Sequence, residues 1–387
     1  MNPNRRNLVK TLGATAFASA LTTSLAATLS AAPASLESAL SAIADQAMRD
    51  MASPGIQICA WKEQSPVAMI AKGFANVETS TAVTSSTIFR AGSLTKQFTA
   101  ALIAKLQEEG ILSVQDRLDR HLDAFRGKRA PTLLELIHHT AGVHDQQDST
   151  ASFKPVSQTE LARRIAEQAK VYDFPPGSAW LYSNANYILL GAVIESATNM
   201  SLAEAARKLI FDPLRLDSTR FDTNPEIVKG RASGYSFSDG GEAFINAECM
   251  PVEQAGGAGA IRATATDLCL WHQSLFSGRL VSSEALELLT APARLNDGRP
   301  ATEGRFDPND NNMGKTSYGY GLLLDRSAKN GGLIAMHNGF INGFSAYLAT
   351  HVPSMLTVAC MCNSDPSQNL PFRQLRRAVF RPYLQES

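Results

Sequence analysis

Apolar residues recur every three or four positions at Leu36, Leu40, Ile43, Ala47 and Met51, and Ser53-Pro54-Gly55 supplies a stop. That spacing predicts an amphipathic helix. Two short apolar runs, 56–62 and 67–73, flank a polar Glu63-Gln64-Ser65 turn and read as a hairpin. Phe98, Leu102, Ile103 and Leu106 return to helical spacing until Gly110 ends it. From 93 to about 247 the signals stay mainly helical, at 133–138, 160–168, 184–197 and 202–210, with loops rich in Pro and Gly between them. Thr264-Ala265-Thr266-Asp267 has the form of a cap for a helix through Leu268, Trp271 and Leu275. The last third returns to strands at 318–325, 333–337, 343–350 and 355–362, and a helix over about 373–384 closes the chain.

Strands at both ends around a helical middle predict an α+β fold. The terminal parts, 35–90 and 250–387, share one antiparallel sheet flanked by the first and last helices. Residues of about 91–249 are inserted as a mostly helical lobe, which places an active site in the cleft between the two parts. No internal repeat interrupts this plan.

Composition narrows the function classes. The 387 residues are 44% hydrophobic and 19% charged, and Lys plus Arg equals Asp plus Glu at 36 each. A chain so balanced has no electrostatic footprint for nucleic acid and no polybasic membrane anchor. Five scattered cysteines do not make a disulfide framework, and Cys360 and Cys362 alternate within an apolar strand as small core residues. The odd count leaves at least one thiol free unless it bonds another chain. Asn4-Arg5-Arg6-Asn7-Leu8-Val9-Lys10 resembles the twin-arginine export motif, followed by a mild apolar stretch and the small residues Ala32-Pro33-Ala34. Residues 1–34 are therefore expected to be a cleaved signal rather than a membrane anchor, leaving a folded protein in the periplasm or outside the cell.

The candidate chemistry begins at Ser93-Leu94-Thr95-Lys96, the only Ser-x-x-Lys in the chain. Serine and lysine three apart share one helix face, so the amine can take the hydroxyl proton. The expected helix N-terminus adds positive partial charge beside the nucleophile. Tyr182-Ser183-Asn184 is the only Tyr-x-Asn. A phenol beside an ammonium is expected to have a lowered pKa and to shuttle a proton, while Asn184 holds a substrate amide or the lysine. Ser183 or Asn184 also reads as the cap of the helix that starts there. His337-Asn338-Gly339 is expected at a strand end, the glycine letting a substrate backbone lie close along the edge.

Other signals fail on inspection. Gly314-Lys315-Thr316 lacks the earlier glycine of a phosphate loop, because position 309 is Asn309. Asp307-Pro308-Asn309-Asp310-Asn311 imitates a calcium loop without its turn glycine or closing carboxylate, and reads as a solvated loop. The 257–262 stretch misses the last glycine of a dinucleotide fingerprint. His138, His139 and His144 lack a zinc spacing and read as loop hydrogen-bonding residues. No Gly-x-Ser-x-Gly elbow is present. No metal or cofactor is expected.

Taken together, these segments resemble the serine β-lactamase and penicillin-binding-protein superfamily. The closest likeness is to its class C-like branch of D,D-peptidases, D-aminopeptidases and family VIII carboxylesterases. The likeness runs through 89–99, His138-His139-Thr140-Ala141-Gly142-Val143, 176–191, 256–268, Tyr318-Gly319-Tyr320-Gly321 and 337–344, and covers nearly all of 36–385. It implies that Ser93 is the acylated nucleophile, Lys96 its proton partner and Tyr182 the base or proton shuttle. Asn184 would contact the substrate and lysine, His337, Asn338 and Gly339 would line the substrate site, and the backbone N–H groups of Ser93 and Phe340 would form the oxyanion hole. The chain departs from the β-lactamases of this branch where they carry Lys-Thr-Gly, having His337-Asn338-Gly339 instead. Lys329-Asn330-Gly331, the rival for that slot, falls in a turn. Small esters and D-amino-acid amides or peptides are therefore expected ahead of β-lactams or peptidoglycan peptides. A non-catalytic penicillin-binding or sensing module is the reading from another class. Oligomeric state is not legible.

Overall fold

Strands from the two ends of the chain meet in one sheet. In the computed structural model, residues 35–63, 65–145 and 156–384 are described; the expected signal, 1–34, lies outside them. After helix α1 (Leu36–Arg49) come β1 (Gly55–Lys62), β2 (Ser65–Asn76), β3 (Thr81–Ala82) and β4 (Phe89–Arg90), then helix α2 (Thr95–Glu108). The middle of the chain contributes β5 (Arg220–Phe221), β6 (Tyr235–Phe237), β7 (Phe244–Asn246) and β8 (Ile261–Ala263). The last third supplies β9 (Ser317–Tyr318), β10 (Leu323–Asp325), β11 (Ile334–Ile341), β12 (Phe344–His351) and β13 (Leu356–Cys362). The main sheet has eight strands in the order β3-β2-β1-β13-β12-β11-β10-β9. Its pairs are antiparallel, and β13 closes it against β1 with Cys59 opposite Ala359.

Two-residue periodicity sends alternate side chains of this sheet into different cores. Ile56, Ile58, Val358 and Cys360 pack with Leu40 of α1 and with Leu375, Val379 and Phe380 of the final helix, Phe372–Phe380. Cys59, Ala359 and Met361 face α2 and the helix Ala265–Phe276, where Phe98 stacks on Trp271 at 4.1 Å between ring centroids. Every residue of β12 and β13 is buried, because layers cover both faces. Truncating Phe98 to Ala would cost about 3–5 kcal/mol. Cys360 and Cys362 share a face with their sulfurs 3.9 Å apart, and the five cysteines are free thiols.

Local chemistry sets most boundaries. The Ser35 hydroxyl accepts from the Ser38 N–H at the start of α1, and Thr264 accepts from the Asp267 N–H as its sequence predicts. Gly110, at φ +69°, follows α2. Two boundaries differ from expectation. Ser93 lies in a short 3-10 turn, Gly92–Leu94, and α2 itself begins at Thr95. Strand β11 does not end near His337 but runs on to Ile341, held by β12 through Asn338 opposite Tyr347, Gly339 opposite Ala346 and Phe340 opposite Ser345. Strand β10 pairs only with 334–336, so among the described strands none covers the other edge of 337–341. A small sheet in the order β4-β8-β5 lies behind the nucleophile turn, with strands too short for any sequence period to show. It is clamped by Asp222, which takes Arg90 at 2.8 Å and both Arg231 and Arg262 at 2.9 Å. Burial pushes the Asp222 carboxyl up, but the three guanidiniums together hold it below its ordinary range.

Candidate active site

Backbone contact places the nucleophile. Strand β4 delivers the chain to Gly92, whose φ of +51° only glycine adopts without strain. A Cβ there would stand 2.7 Å from both the N and the O of Phe340. The Phe340 peptide therefore turns its polar groups to the nucleophile turn rather than to β12. The Thr95 hydroxyl donates to the Gly92 carbonyl at 2.7 Å and accepts from the Ile261 N–H at 3.0 Å, which fixes the turn to the small sheet. Gly339 has a packing use the sequence did not show. A Cβ on Gly339 would come 1.9 Å from the Ala91 carbonyl oxygen, so the nucleophile segment fills its side-chain space, while the strand edge stays uncovered by any described strand.

Lys96 is fully buried on the first turn of α2. Its Nζ lies 3.2 Å from Ser93 Oγ, 2.7 Å from Asn184 Oδ1 and 2.9 Å from the Ala258 carbonyl, and 4.8 Å from the centre of the Tyr182 ring. Burial lowers its pKa to about 7, against an opposing pull from the Asp145 carboxylate. A large fraction of this amine is then uncharged near neutrality and able to accept the Ser93 proton. The expectation for Tyr182 is reversed. Burial pushes its phenol above the ordinary range, and a hydrogen bond with Ser93 offsets only part of that. Lys96 is the group tuned toward base behaviour, and Tyr182 keeps its proton to give.

Asn184 opens the helix Asn184–Thr198 and connects the lysine to a carboxylate. Its Oδ1 accepts from Lys96, while its Nδ2 donates to Asp145 Oδ2 at 3.1 Å; the other Asp145 oxygen accepts from the Ala185 N–H at 3.2 Å. Sequence reasoning missed Asp145, 39 residues away. The available signal was the helix N-terminus after Ser183, which attracts an acid. His139 is the loop hydrogen-bonding residue its sequence suggested, but its place against Tyr182 was not foreseen. Held at φ +59°, it lies 4.5 Å from Tyr182 between ring centroids. Its Nδ1 accepts from the Ser183 N–H at 3.2 Å and the Asn186 amide at 3.0 Å. Burial keeps it neutral by lowering its pKa well below the ordinary value. His144 pairs at 2.9 Å with Asp173 instead.

The residues of the His-Asn-Gly segment divide by strand alternation. His337 and Gly339 face the α2 side, whereas Asn338 stands on the opposite face with its partner Tyr347. His337 is buried, 6.2 Å from Tyr182 between ring centroids. Its Nδ1 lies 2.5 Å from the Asn338 carbonyl, which can only accept, so Nδ1 carries the proton and Nε2 is the acceptor for the Tyr318 hydroxyl at 3.3 Å. Burial lowers its pKa to about 4, so this slot holds a neutral ring. Lys329, the rival cation, is exposed in the turn between β10 and β11. Phe340 keeps 44% of its surface exposed beside Phe372. Among the described residues, no cluster of His, Cys, Asp or Glu is arranged to hold a metal ion.

A serine hydrogen-bonded to a buried lysine, with a tyrosine beside both and an asparagine on the lysine, agrees with the family comparison. The beta-lactamase family model matches residues 40–380. The chain belongs to the beta-lactamase family. It is 26% identical over 307 residues to penicillin-binding protein 4* of Bacillus subtilis (strain 168), covering 76% of this chain and 64% of that one. It is 26% identical over 353 residues to a D-aminopeptidase of Gluconobacter oxydans (strain 621H), covering 89% and 61%. This family member thus spans less than two thirds of the length of those relatives. Its fold matches that of a D-amino acid amidase from Ochrobactrum anthropi SV3 with a TM-score of 0.76 at 21% identity, over 90% of this chain and all of that one.

Proposed function

We propose that the chain is an exported serine hydrolase that forms an acyl-enzyme on Ser93 from small carboxylic esters or D-amino-acid amides and peptides. The observation that carries this reading is the contact of Ser93 Oγ with Lys96 Nζ, an amine brought by burial to about pH 7. The neutral amine takes the hydroxyl proton as Oγ attacks the substrate carbonyl. The tetrahedral oxyanion is received by the backbone N–H groups of Ser93 and Phe340, which sit on abutting segments. Tyr182 gives its proton to the leaving alcohol or amine and recovers one from the Lys96 ammonium. A water then loses a proton to the same pair, attacks the acyl group, and returns Ser93 to its hydroxyl form. Asn184 and Asp145 hold the lysine in register. The D-amino-acid preference is supported by the name of the Gluconobacter relative. Export is supported by Arg5-Arg6 and the stretch after them.

Turnover of β-lactams or peptidoglycan peptides is the second reading, favoured by the Bacillus relative. It ranks lower because neutral His337 offers no fixed cation to a β-lactam carboxylate. A panel of p-nitrophenyl acetate, D-alanine p-nitroanilide and a chromogenic cephalosporin, run with wild type and Ser93→Ala, tests the order. Turnover of the ester or anilide that disappears with Ser93 supports it. Fast cephalosporin turnover with little of either other substrate reverses it, and no Ser93-dependent turnover at all leaves the non-catalytic module.

A further inference from the structure

The short helix Leu133–Ile137 ends in a pair of nested backbone bonds. The His139 N–H donates to the Leu136 carbonyl at 3.2 Å, and the Thr140 N–H donates to the Glu135 carbonyl at 2.9 Å. This is a Schellman closure, whose left-handed position usually falls to glycine. Here that position holds a histidine, at φ +59° and fully buried. A glycine would end the helix with less strain, so helix closure does not explain the ring.

What His139 holds is Tyr182. Its carbonyl accepts from the Leu181 N–H at 3.1 Å, and its Nδ1 accepts from the Ser183 N–H at 3.2 Å. The backbone donors on either side of Tyr182 thus end on one residue. Nδ1 also takes the Asn186 amide at 3.0 Å. The imidazole backs the phenol ring at 4.5 Å between centroids, tilted by 35°, and is itself packed against Tyr318 at 4.7 Å and Tyr187 at 5.2 Å. Asn184, in the same strip, has a separate tie to Asp145.

His139 is poorly suited to exchange protons with a substrate. Nδ1 accepts from two donors, so the neutral ring carries its proton on Nε2. Burial, with the Lys96 charge nearby, keeps the ring from gaining a second proton. Its effect on the reaction must run through Tyr182, whose side chain bonds Ser93.

We propose that His139 is a positioning residue that fixes the Tyr182 phenol on Ser93, by bonding the backbone on both sides of it and backing its ring. This deepens the hydrolase reading and rests on it. A misplacement of about 1 Å in such a group costs on the order of 10²-fold in rate.

The experiment measures kcat and KM for D-alanine p-nitroanilide and p-nitrophenyl acetate in wild type, His139→Gly, His139→Asn, Tyr182→Phe and the double variant His139→Gly/Tyr182→Phe. Glycine keeps the left-handed turn and removes the ring. Asparagine also adopts that φ and places an oxygen near the position of Nδ1. His139→Gly should lose about 10²-fold in kcat on the anilide and about tenfold on the ester, with KM within about threefold of wild type. His139→Asn should recover part of the anilide loss. In the Tyr182→Phe background, His139→Gly should change the ester kcat by less than about threefold, because no phenol is left to position. An unchanged anilide kcat in folded His139→Gly, or a loss that persists in full without the phenol, overturns the assignment and leaves the hydrolase intact. Wild type without Ser93-dependent turnover of either substrate overturns both. If His139→Gly does not fold, the anilide-to-ester ratio of kcat in His139→Asn decides. A fall of about threefold or more supports positioning of the proton donor, and an unchanged ratio overturns it.

Discussion

The floor of the cleft and its surroundings satisfy their polar groups to different degrees. On the floor, the three donors of Lys96 reach Ser93, Asn184 and the Ala258 carbonyl, and Asn184 is held in turn by Asp145. Around it, Asp310 Oδ2, Trp180 Nε1, Tyr320 Oη and the Nε2 atoms of His138 and His139 are buried without partners among the described residues, as are Gln97 Nε2, Ser183 Oγ and Asn186 Oδ1 beside the catalytic residues. The floor is bonded into one arrangement, which suits a step that repeats unchanged for every substrate. The surroundings leave buried polar atoms unpaired, which gives them more ways to rearrange than the lysine cluster has. The two regions should therefore respond differently to substitution: floor changes reduce all substrates together, and changes in the surroundings alter their ratios.

The largest effect expected is from Ser93→Ala, a loss of about 10⁴-fold or more in kcat with every substrate and loss of labelling by a fluorophosphonate probe. Retained labelling would move the nucleophile elsewhere and dissolve the floor as defined. Next comes Tyr182→Phe, which keeps the ring against His139 and Lys96 but removes the proton. It should lower kcat by about 10²–10⁴-fold, more for anilides than for esters, whose leaving groups need less protonation. An equal loss for both would speak against proton donation.

Gly339→Ala probes the seam between the regions. The added methyl meets the Ala91 carbonyl and forces β11 off the nucleophile turn. A loss of about 2–3 kcal/mol in unfolding free energy is expected, read by denaturant titration, with activity falling for all substrates. A stable variant would show that the seam is looser than drawn. The smallest change is Asp145→Asn, about tenfold in kcat/KM. Its diagnostic is direction. Asp145 raises the Lys96 pKa, so removing its charge should move the acid limb of the pH profile to lower pH. A merely structural loss would lower the profile without shifting it.

Much of the floor was legible from residue order. Ser93, Lys96, Tyr182 and Asn184 sit in short motifs with helical or capping character, and the structure brings them together. The sheet was legible too, because continuous apolar runs such as 355–362 are long enough to show. Burial was not. It reverses the lowered pKa expected of Tyr182 while leaving Lys96 the proton acceptor it was read as, and it turns Asp310 from a solvated loop residue into a shielded one. Residues that act by position alone, Asp145 and His139, carry no spacing signature, since their partners lie 39 to 47 residues away. The packing of Gly339 on Ala91 was hidden for a related reason. A glycine marks a close approach, but the sequence does not say what approaches.

The account rests on a serine made nucleophilic by a lysine that burial has stripped of charge. Its most direct measurement is the rate of Ser93 acylation by p-nitrophenyl acetate, followed as a stopped-flow burst from pH 5 to pH 9 with the adduct located by mass spectrometry. The uncharged fraction of Lys96 grows as pH rises, so the burst rate should climb through a single limb centred near about 7, with the acetyl group on Ser93. A rate still climbing at pH 9 with no midpoint near neutrality, or an adduct on another residue, would contradict it.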